Sequence, residues 1–399
     1  MALLETLRVL DLTNVLAGPF CCYQLAQLGA EVIKVELPGS GDLARQLGAD
    51  AELNRNLMGA SFLAQNAGKR SLTLNVKHSD GKEIFRRLVA TADVVVENFR
   101  PGVMQRLGLG YEELKHCKAD LIYCAISGFG QDGPLKNNPA YDQIVQGLSG
   151  VMSITGDRSS APLRVGYPIA DTVGGITAAF AIAAALFRRE RSGAGDFIDV
   201  SMLEATIATM GWAVSNWLIA GVAPQPMGND NVTASPSGTF KTKNGLLNIA
   251  ANEQSQFVML CRLIDRQELV VDQRFANRDE RKRFRQELKQ EIEKALTAKS
   301  AQEWSALFND HGVPAGEVLS IAEVLEHPQI VGRRVIKRFP SVPGVDRDVA
   351  TVRAGFKLAS GDPAAAKPPP ALGADTESIL LELGYNLATI AQLRNAQTI

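Results

Sequence analysis

An aspartate at the start of a long apolar segment is the residue of this sequence best placed for covalent chemistry. Asp171 precedes Thr172-Val-Gly174-Gly175, and an Ala-rich helical pattern runs from there to about Arg191. A helix N-terminus favours an ionised carboxylate, which can attack an acyl group, and its N–H groups can stabilise an oxyanion. The two glycines would let a substrate lie against the backbone. Asp is also a favoured helix N-cap, so a purely structural role for Asp171 stays open.

Basic side chains recur near the predicted strand ends of the first third of the chain, and as a set they could hold phosphates. They are Lys69, Arg70, Lys77, Arg100 and Arg106. Asn98-Phe99 follows a predicted strand, and an aromatic ring beside a basic residue could flank an adenine. Each of the basic residues taken alone is more typical of a solvated surface than of a binding site.

A second acid is expected near Asp171. Tyr141-Asp142 lies in a loop that the predicted topology brings towards it. A neighbouring carboxylate can tune the pKa of a nucleophilic acid or orient it. The alternative is an ordinary solvent-facing loop acid.

A glycine-rich motif, Gly128-Phe-Gly-Gln-Asp-Gly133, matches the G-x-G-x-x-G pattern and follows a predicted strand. A dinucleotide site needs this motif to open a helix, but Pro134 follows at once and Asn137-Asn138-Pro139 extends the turn. We therefore predict a loop at the carboxyl end of a strand and no nicotinamide site. A ligand can still bind in such a crevice.

The elements that must position these residues alternate between short apolar runs and helical patterns, which predicts a largely parallel sheet of an α/β protein. The predicted strands are Arg8–Leu12, Glu31–Glu36, Ser71–Val76, Asp93–Glu97 and Asp120–Ile126. A second long helix is predicted over about Ser201–Ala220. Its heavy apolar load is typical of a core helix or of one that packs on a second subunit.

Two domains are expected for 399 residues. A Pro-, Gly- and Asn-rich stretch over 221–237 marks a boundary, and Asn244-Gly245 predicts a hairpin beyond it. We expect a large domain over 1–222 and a small α+β domain over 223–344. Residues 345–399 are expected to complete the large domain.

Composition narrows the class of function. The chain has 42 basic and 43 acidic residues, a balance that favours neither a nucleic-acid binder nor a polybasic membrane protein. Five cysteines without a C-x-x-C pair and only four histidines predict no disulfide framework and no metal site. No signal-like N-terminus is visible, so we expect a cytoplasmic protein.

Taken together, the motifs resemble the class III CoA-transferases, the CaiB/BaiF family, over nearly the whole chain. The segments that carry the resemblance include VLDLTNVLAGPFC (9–21), GKRSLTLNVK (68–77), ADVVVENFRPGVMQRLGLGY (92–111), ISGFGQDGP (126–134), AYDQIVQGLSG (140–150) and YPIADTVGG (167–175). As a set they are highly specific, although no single one would suffice.

The resemblance implies a Rossmann-like large domain, an interlocked homodimer, and Asp171 as the nucleophile. It also places the coenzyme A contacts on Val15, Leu74, Lys77, Asn98, Phe99 and Arg106. The implied reaction moves coenzyme A from an acyl-CoA, for example succinyl-CoA, to a carboxylic acid through aspartyl anhydride and aspartyl-CoA thioester intermediates. It requires neither a metal nor a nicotinamide. Leu16 and Pro38 differ from the Gln and Arg of members that handle small acids, so we expect a larger acid.

Two rival functions stay open. An α-methylacyl-CoA racemase shares the family's fold, but its proton transfer uses a His where this chain has Tyr141. A non-catalytic CoA-binding protein would explain the predicted CoA contacts without any need for Asp171.

Overall fold

A six-stranded parallel sheet organises the first half of the chain in the computed structural model, which describes residues 2–399. Its strands are β1 (Arg8–Asp11), β2 (Glu31–Glu36), β3 (Lys69–Thr73), β4 (Val94–Glu97), β5 (Ile122–Ser127) and β6 (Asp196–Ser201). The strand order is β3-β2-β1-β4-β5-β6, with every neighbouring pair parallel. In this Rossmann order the topology reverses between β1 and β4, which opens a crevice at their carboxyl ends. The predicted α/β class with a parallel sheet is confirmed.

Helices connect and cover these strands. Up to Ala220 they are α1 (Ala17–Gln27), α2 (Ala51–Arg55), α3 (Ala60–Leu63), α4 (Ser79–Ala90), α5 (Val103–Leu107), α6 (Tyr111–Leu114), α7 (Asp142–Leu148), α8 (Val151–Ile154), α9 (Ile169–Ser192), α10 (Met202–Thr209) and α11 (Gly211–Ala220). The glycine-rich motif over 128–133 forms bends and turns, and the next helix, α7, begins only at Asp142. The prediction of a loop at this motif is therefore confirmed.

A three-stranded antiparallel sheet belongs to the second part of the chain. Its strands are β7 (Ser237–Lys241), β8 (Leu246–Ala250) and β9 (Ala315–Glu317). The predicted hairpin is present, because β7 and β8 pair on either side of Asn244-Gly245. The helices of this part are α12 (Gln254–Leu263), α13 (Glu268–Val271), α14 (Arg278–Arg283), α15 (Arg285–Leu296), α16 (Ala301–Asp310), α17 (Ile321–Glu326) and α18 (Pro328–Gly332).

The C-terminal part returns to the parallel sheet. It contains the strand pair β10 (Ile336–Phe339) and β11 (Val349–Val352), and the helices α19 (Thr376–Glu382) and α20 (Leu387–Asn395). The Asp375 carboxylate accepts a hydrogen bond from the Ser71 N–H at 2.9 Å, and the Thr376 hydroxyl accepts one from the Thr73 N–H at 3.0 Å. These side chains cover the outer edge of β3, which would otherwise present free backbone groups.

Contacts divide the chain into two compact units. The first comprises the described residues up to Val151, Arg164–Val222 and Arg333–Ile399, and the second comprises Met152–Leu163 and Ala223–Gly332. Residues 152–163 thus group with the second unit, and Arg333–Gly344 with the first, in contrast to the expected ranges. That two domains fold independently, one over 1–222 with 345–399 and the other over 223–344, remains a prediction.

Apolar side chains fill both faces of the parallel sheet. Successive residues of a strand point to opposite faces, so Val9 packs with α1 and α9 whereas Leu10 packs with α4, α19 and α20. Strands enclosed on both sides need apolar residues at every position, which is why their sequences show little alternation.

Two sequence predictions were wrong. Strand β6 (Asp196–Ser201) lies between the two predicted long helices, where we predicted no strand; its two acidic residues obscured the apolar pattern of an edge strand. The predicted core helix over Ser201–Ala220 is instead two helices, and α11 has no buried residue. Trp212 is 85% exposed and Ile219 is 86% exposed.

Helix α9 is the long apolar helix that the sequence predicted. Among residues 2–399 it alone has the length and composition of a membrane-crossing helix. Its Gly- and Ala-rich face is buried against α1, α10, β5 and β6. A methyl group on Gly175 would lie 2.4 Å from the Ala17 carbonyl oxygen, whereas one on Gly174 would lie 2.9 Å from Cγ of the flexible Met202 side chain. The glycines thus serve helix packing, and the expectation that they make room for a substrate was wrong.

We predict different costs for alanine at these neighbouring positions. Gly175→Ala pushes α9 off the α1 backbone and should lower the free energy of unfolding by about 1–3 kcal/mol, even though alanine favours the helix. Gly174→Ala should cost less, because Met202 can change rotamer. Urea unfolding of both variants measures the difference, and an equal or reversed order would contradict this packing argument.

Candidate active site

Asp171 lies inside the first turn of α9 and does not cap the helix. The helix begins at Ile169, and its N-cap residue, Pro168, makes no side-chain hydrogen bond. The capping acceptor comes from α7: Oδ1 of Asp142 accepts hydrogen bonds from the N–H groups of Ala170 at 2.9 Å and of Asp171 at 3.4 Å. The N-cap interpretation of Asp171 is therefore wrong, and its carboxylate is left for another purpose.

Asp142 is buried, and both of its carboxylate oxygens have partners within the protein. Its Oδ2 accepts a hydrogen bond from Gln146 Nε2 at 2.7 Å and lies 3.8 Å from Arg164 Nε. Oε1 of Gln146 accepts the Val165 N–H at 2.9 Å. Asp142 and Gln146 thus fasten the segment that leads into α9, and Asp142 is not the solvent-facing loop acid of the alternative interpretation. Tyr141 beside it is 71% exposed and makes no capping bond.

Burial sets the protonation of Asp171. Loss of solvent, and secondarily the negative charge of Asp142, raise the pKa of Asp171 to about 7. No group in residues 2–399 donates a hydrogen bond to its carboxylate that would oppose this effect. The expected stabilisation of the anion by the helix N-terminus is outweighed, because Asp142 occupies the N–H groups that would supply it.

A cavity of about 390 Å³ opens at the carboxyl ends of β1–β4. It brings together three of the residues expected to contact coenzyme A, namely Leu74, Lys77 and Phe99. Much of its lining is apolar and comes from Leu12, Val35, Leu37, Val76, Val103 and Leu107. A crevice at this switch point of the strand order is the usual ligand position in an open α/β sheet.

Two exposed cations lie near this cavity. The Lys77 side chain is exposed on its lining, and Arg106 is exposed on α5, whose residues Val103 and Leu107 also line it. The Arg106 side chain lies over Gly102: its Nη1 would be 2.9 Å from a methyl group added at that glycine. Neither side chain forms an ion pair within the described residues, so both charges are available to an anionic ligand. Among those residues no group of three or more His, Cys, Asp or Glu could hold a metal ion.

Val15 and Asn98 lie at the same edge of the sheet, but their atoms are engaged within the protein. The Asn98 side chain accepts the Asn14 N–H and donates to the Asn14 carbonyl, both at 2.8 Å. Val15 adopts φ 67°, an unusual conformation for a β-branched residue, and its N–H donates to Asp42 Oδ1 at 2.9 Å. Asn98 thus holds the loop after β1 through both the oxygen and the nitrogen of its side-chain amide.

Glu97 holds the neighbouring aromatic residue in place. Its Oε2 accepts the backbone N–H of Phe99 at 2.7 Å, and its other oxygen lies 3.4 Å from the hydroxyl of Tyr123. Burial raises the pKa of Glu97 to about 7, and Asp199 adds to the shift, although the two hydrogen bonds oppose it. The strand end therefore fixes Phe99 at the cavity wall.

The cavity and Asp171 are linked through the start of α1. Ala17 follows Val15 by two residues, and its carbonyl is the group that α9 approaches at Gly175, one turn after Asp171.

Two residues that shape this region were not predicted. Lys34 and Asp42 were missed, although a lysine inside the apolar strand Glu31–Glu36 was a visible signal. Neither Arg100 nor Lys69 lines the cavity, and the Lys69 ammonium is paired with Asp11 at 2.8 Å, so neither is placed to hold a phosphate there.

Known proteins are similar to this chain in sequence and in fold. The model of CoA-transferase family III matches residues 4–376. Succinyl-CoA:glutarate CoA-transferase of Mus musculus is 37% identical over 398 residues, which cover 98% of this chain and 88% of that protein. Acetyl-CoA:oxalate CoA-transferase of Acetobacter aceti is 41% identical over 333 residues, covering 83% and 85%. The crystal structure of a CAIB/BAIF family protein from Brucella suis has a TM-score of 0.83 at 34% identity, covering 94% and 98%.

The fold and the sequence therefore define a CoA-transferase. The chain belongs to CoA-transferase family III, as its resemblance in the sequence indicated, and it acts on CoA thioesters.

We predict a pH-dependent gain of stability when Asp171 cannot ionise. Because the pKa of Asp171 is raised from 3.8 to about 7 on folding, the folded state binds the proton more tightly. Its contribution to stability is complete below pH about 4 and is lost as the pH rises through about 7. Asp171→Asn should therefore melt at a higher temperature than the wild type at pH about 8 and at an equal temperature at pH about 4.

Asp142→Asn supplies the control for this experiment. Its side-chain oxygen still accepts the helix N–H groups, but the negative charge next to Asp171 is gone, so the pKa of Asp171 should fall. The difference in melting temperature between Asp171→Asn and its parent should then be smaller and should level off at a lower pH. A difference that does not change with pH would contradict the raised pKa.

Proposed function

We propose that this protein transfers coenzyme A from an acyl-CoA to a carboxylic acid, with Asp171 as the covalent nucleophile. The observation that carries the proposal is the state of this carboxylate. It is held at a helix start, receives no hydrogen bond from residues 2–399 and has a pKa raised to about 7. A carboxylate that is poorly solvated and unbonded is a stronger nucleophile than one in water.

The proposed reaction balances without an external energy source. An oxygen of Asp171 attacks the thioester carbon, the C–S bond breaks, and coenzyme A leaves as a thiolate from a mixed anhydride. The thiolate attacks Cγ of Asp171, which releases the donor acid and forms an aspartyl-CoA thioester. An acceptor carboxylate then attacks Cγ and displaces the thiolate. The thiolate finally attacks the new acyl carbon, which forms the product thioester and frees the Asp171 carboxylate.

The cavity at the carboxyl ends of β1–β4 is the proposed site of the nucleotide part of coenzyme A. Phe99 and Leu74 supply apolar surface for the adenine, and Lys77 and Arg106 supply unpaired charges for the phosphates. The thioester end would then extend past Val15 and the start of α1 towards Asp171. Asn98 acts by holding the loop after β1.

Asp142 is proposed to tune Asp171. Its charge raises the pKa of the nucleophile, and its hydrogen bonds keep the first turn of α9 in place. A raised pKa makes the carboxylate more basic but also reduces its ionised fraction at neutral pH. Acylation of the enzyme should consequently become faster as the pH rises through about 7.

Succinyl-CoA is the proposed donor and a short dicarboxylic acid the proposed acceptor. Succinyl-CoA and glutarate stand in the names of relatives that align with this chain over nearly its whole length. The acetyl-CoA:oxalate relative from Acetobacter aceti makes oxalate the competing acceptor. Leu16 and Pro38 are the basis for expecting the larger acid.

We predict that hydroxylamine traps the Asp171 intermediate. Hydroxylamine attacks the activated carboxyl and leaves a stable hydroxamate, which intact-mass and peptide mass spectrometry locate after brief mixing with succinyl-CoA. Because the donor is a proposal, acetyl-, propionyl- and glutaryl-CoA are run in parallel. Wild type should carry the adduct on Asp171, and Asp171→Asn should carry none while it still binds coenzyme A.

Two outcomes of the trapping experiment would replace the proposal. Deuterium entering the α-carbon of a branched acyl-CoA, with no adduct, would establish the racemase. Coenzyme A binding without adduct or exchange for the whole panel would establish a binding protein. Glutarate and oxalate are then compared as acceptors, and faster turnover of oxalate would overturn the acid assignment alone.

We also propose an interlocked homodimer in the cytoplasm. The exposed apolar surface of α11, formed mainly by Trp212, Leu218 and Ile219, supports a partner chain. Sedimentation should give twice the 42.9 kDa of one chain. Ile219→Glu should destabilise the dimer, whereas Val271→Glu, at an apolar position of the second unit that is 75% exposed, should not.

Subunit exchange tests the interlocking itself. Interlocked chains can separate only by partial unfolding, so mixed tagged and untagged dimers should not exchange over hours under native conditions. Rapid formation of hybrid dimers would contradict interlocking but not dimerisation, and a mass of one chain would contradict both.

A further inference from the structure

Side chains bind most of the backbone polar groups of Thr13–Val15, a loop that begins two residues after the end of β1. The Thr13 N–H donates to Asp11 Oδ1 at 2.9 Å, and Asn98 binds both backbone groups of Asn14. The two remaining anchors are Lys34, whose Nζ donates to the Thr13 carbonyl at 2.9 Å, and Asp42, whose Oδ1 accepts the Val15 N–H at 2.9 Å. The loop is therefore shaped by four side chains from other positions of the fold.

Lys34 and Asp42 are bound to one another. Lys34 Nζ lies 2.9 Å from Oδ2 of Asp42, and both side chains are 0% exposed. Asp42 is further fixed because Oδ1 also accepts the Ala44 N–H at 2.9 Å and its own N–H donates to Glu36 at 3.0 Å. The pair thus joins the two ends of the Thr13–Val15 loop by one enclosed ionic contact.

The pair is part of a buried group of charges with no net charge. The three cations and three anions, which we name the six-charge cluster, are Lys34, Lys69, Arg45, Asp11, Asp42 and Glu36. Burial alone would lower the pKa of Lys34, but Asp11, Asp42 and Glu36 outweigh it and raise that pKa. Lys34 therefore stays charged, and its ammonium remains a donor to the loop.

The contacts to the loop keep Val15 in a backbone conformation that is unusual for its residue type. Its φ of 67° is costly for a β-branched side chain and persists only where surrounding contacts over-determine it. The contact that fixes its N–H is the one to Asp42. Moreover, the N–H groups of all three loop residues are already bonded to protein, so they cannot cradle a phosphate as a dinucleotide-binding loop does.

We propose that Lys34 and Asp42 are positioning residues that pre-shape the Thr13–Val15 loop for coenzyme A. This inference rests on the proposed function. The pair imposes the left-handed backbone at Val15 and sets the loop as a wall of the cavity, so that phosphate binding falls to the exposed cations Lys77 and Arg106. Both side chains are enclosed and act through the loop.

The test compares binding of coenzyme A, measured by calorimetry, in the wild type and in variants of the pair. Asp42→Ala removes the acceptor for Val15 and should raise the dissociation constant about tenfold. Its acylation rate at saturating succinyl-CoA should fall by a smaller factor than the affinity, because Asp171 is intact. Asp42→Asn keeps an oxygen facing the Val15 N–H and should recover part of the affinity.

A largely enclosed ion pair at the amino end of β4, in the same sheet but away from the cavity, provides the control. Arg189 Nη2 lies 2.9 Å from Asp93, which precedes β4, and the Arg189 side chain is 7% exposed. Arg189→Met should lower the melting temperature but leave the dissociation constant for coenzyme A unchanged. If Asp42→Ala does not fold, the charge-balanced double variant Lys34→Met/Asp42→Asn removes the donor to Thr13 and should still bind coenzyme A more weakly.

The outcomes separate this inference from the proposed function. If the wild type bound no coenzyme A, the proposed function and this inference would both fall. If the wild type bound it and the variants of the pair bound it equally well, only this inference would fall. The same holds if Arg189→Met weakened binding as much as Asp42→Ala for a comparable loss of melting temperature.

Discussion

The candidate site depends on one constraint: the buried charges of the six-charge cluster must balance. The members of the six-charge cluster come from β1, β2, the start of β3 and the segment after β2, and each of them would be costly alone in such surroundings. Because the charges balance, the protein can keep ammonium and carboxylate groups inside and use them to direct backbone atoms. A core of apolar side chains would fill the same space but could not grip the individual N–H and C=O groups of the loop after β1.

The opposite electrostatic situation prevails around Asp171. There, no cation of the described residues neutralises the carboxylate, and the nearest strong influence is the like charge of Asp142. The same acid that raises the pKa also satisfies the helix N–H groups that would have lowered it. Burial raises the pKa of Asp171 most, and Asp142 adds to that shift while it also holds the first turn of the helix. Geometry and reactivity at Asp171 are therefore not independent properties.

Most of the parallel sheet could be predicted from the sequence, because strands enclosed on both faces have nearly continuous apolar sequences. Strand β6 escaped prediction because it is an edge strand with two acids, and the exposed α11 was misassigned because helical periodicity cannot tell a covered face from a bare one. Position along the chain identified Asp171, but not that Asp142 would cap its helix, since that contact spans 28 residues to Ala170. Lys34 and Asp42 escaped notice because their partners are distant in sequence.

The edge of β3 is covered by Asp375 and Thr376, and the apolar layer under it includes Ile379, Ile390 and Ile399. Thus the core of the first unit is assembled from segments that lie far apart in the sequence, since Ser71 and Asp375 are separated by 304 positions. Until residues 374–399 have been synthesised, β3 has an open edge and α4 lacks part of its apolar cover. During synthesis the backbone groups at the edge of β3 therefore stay unpaired until residues 374–399 follow, and an open strand edge of this kind can pair with another chain.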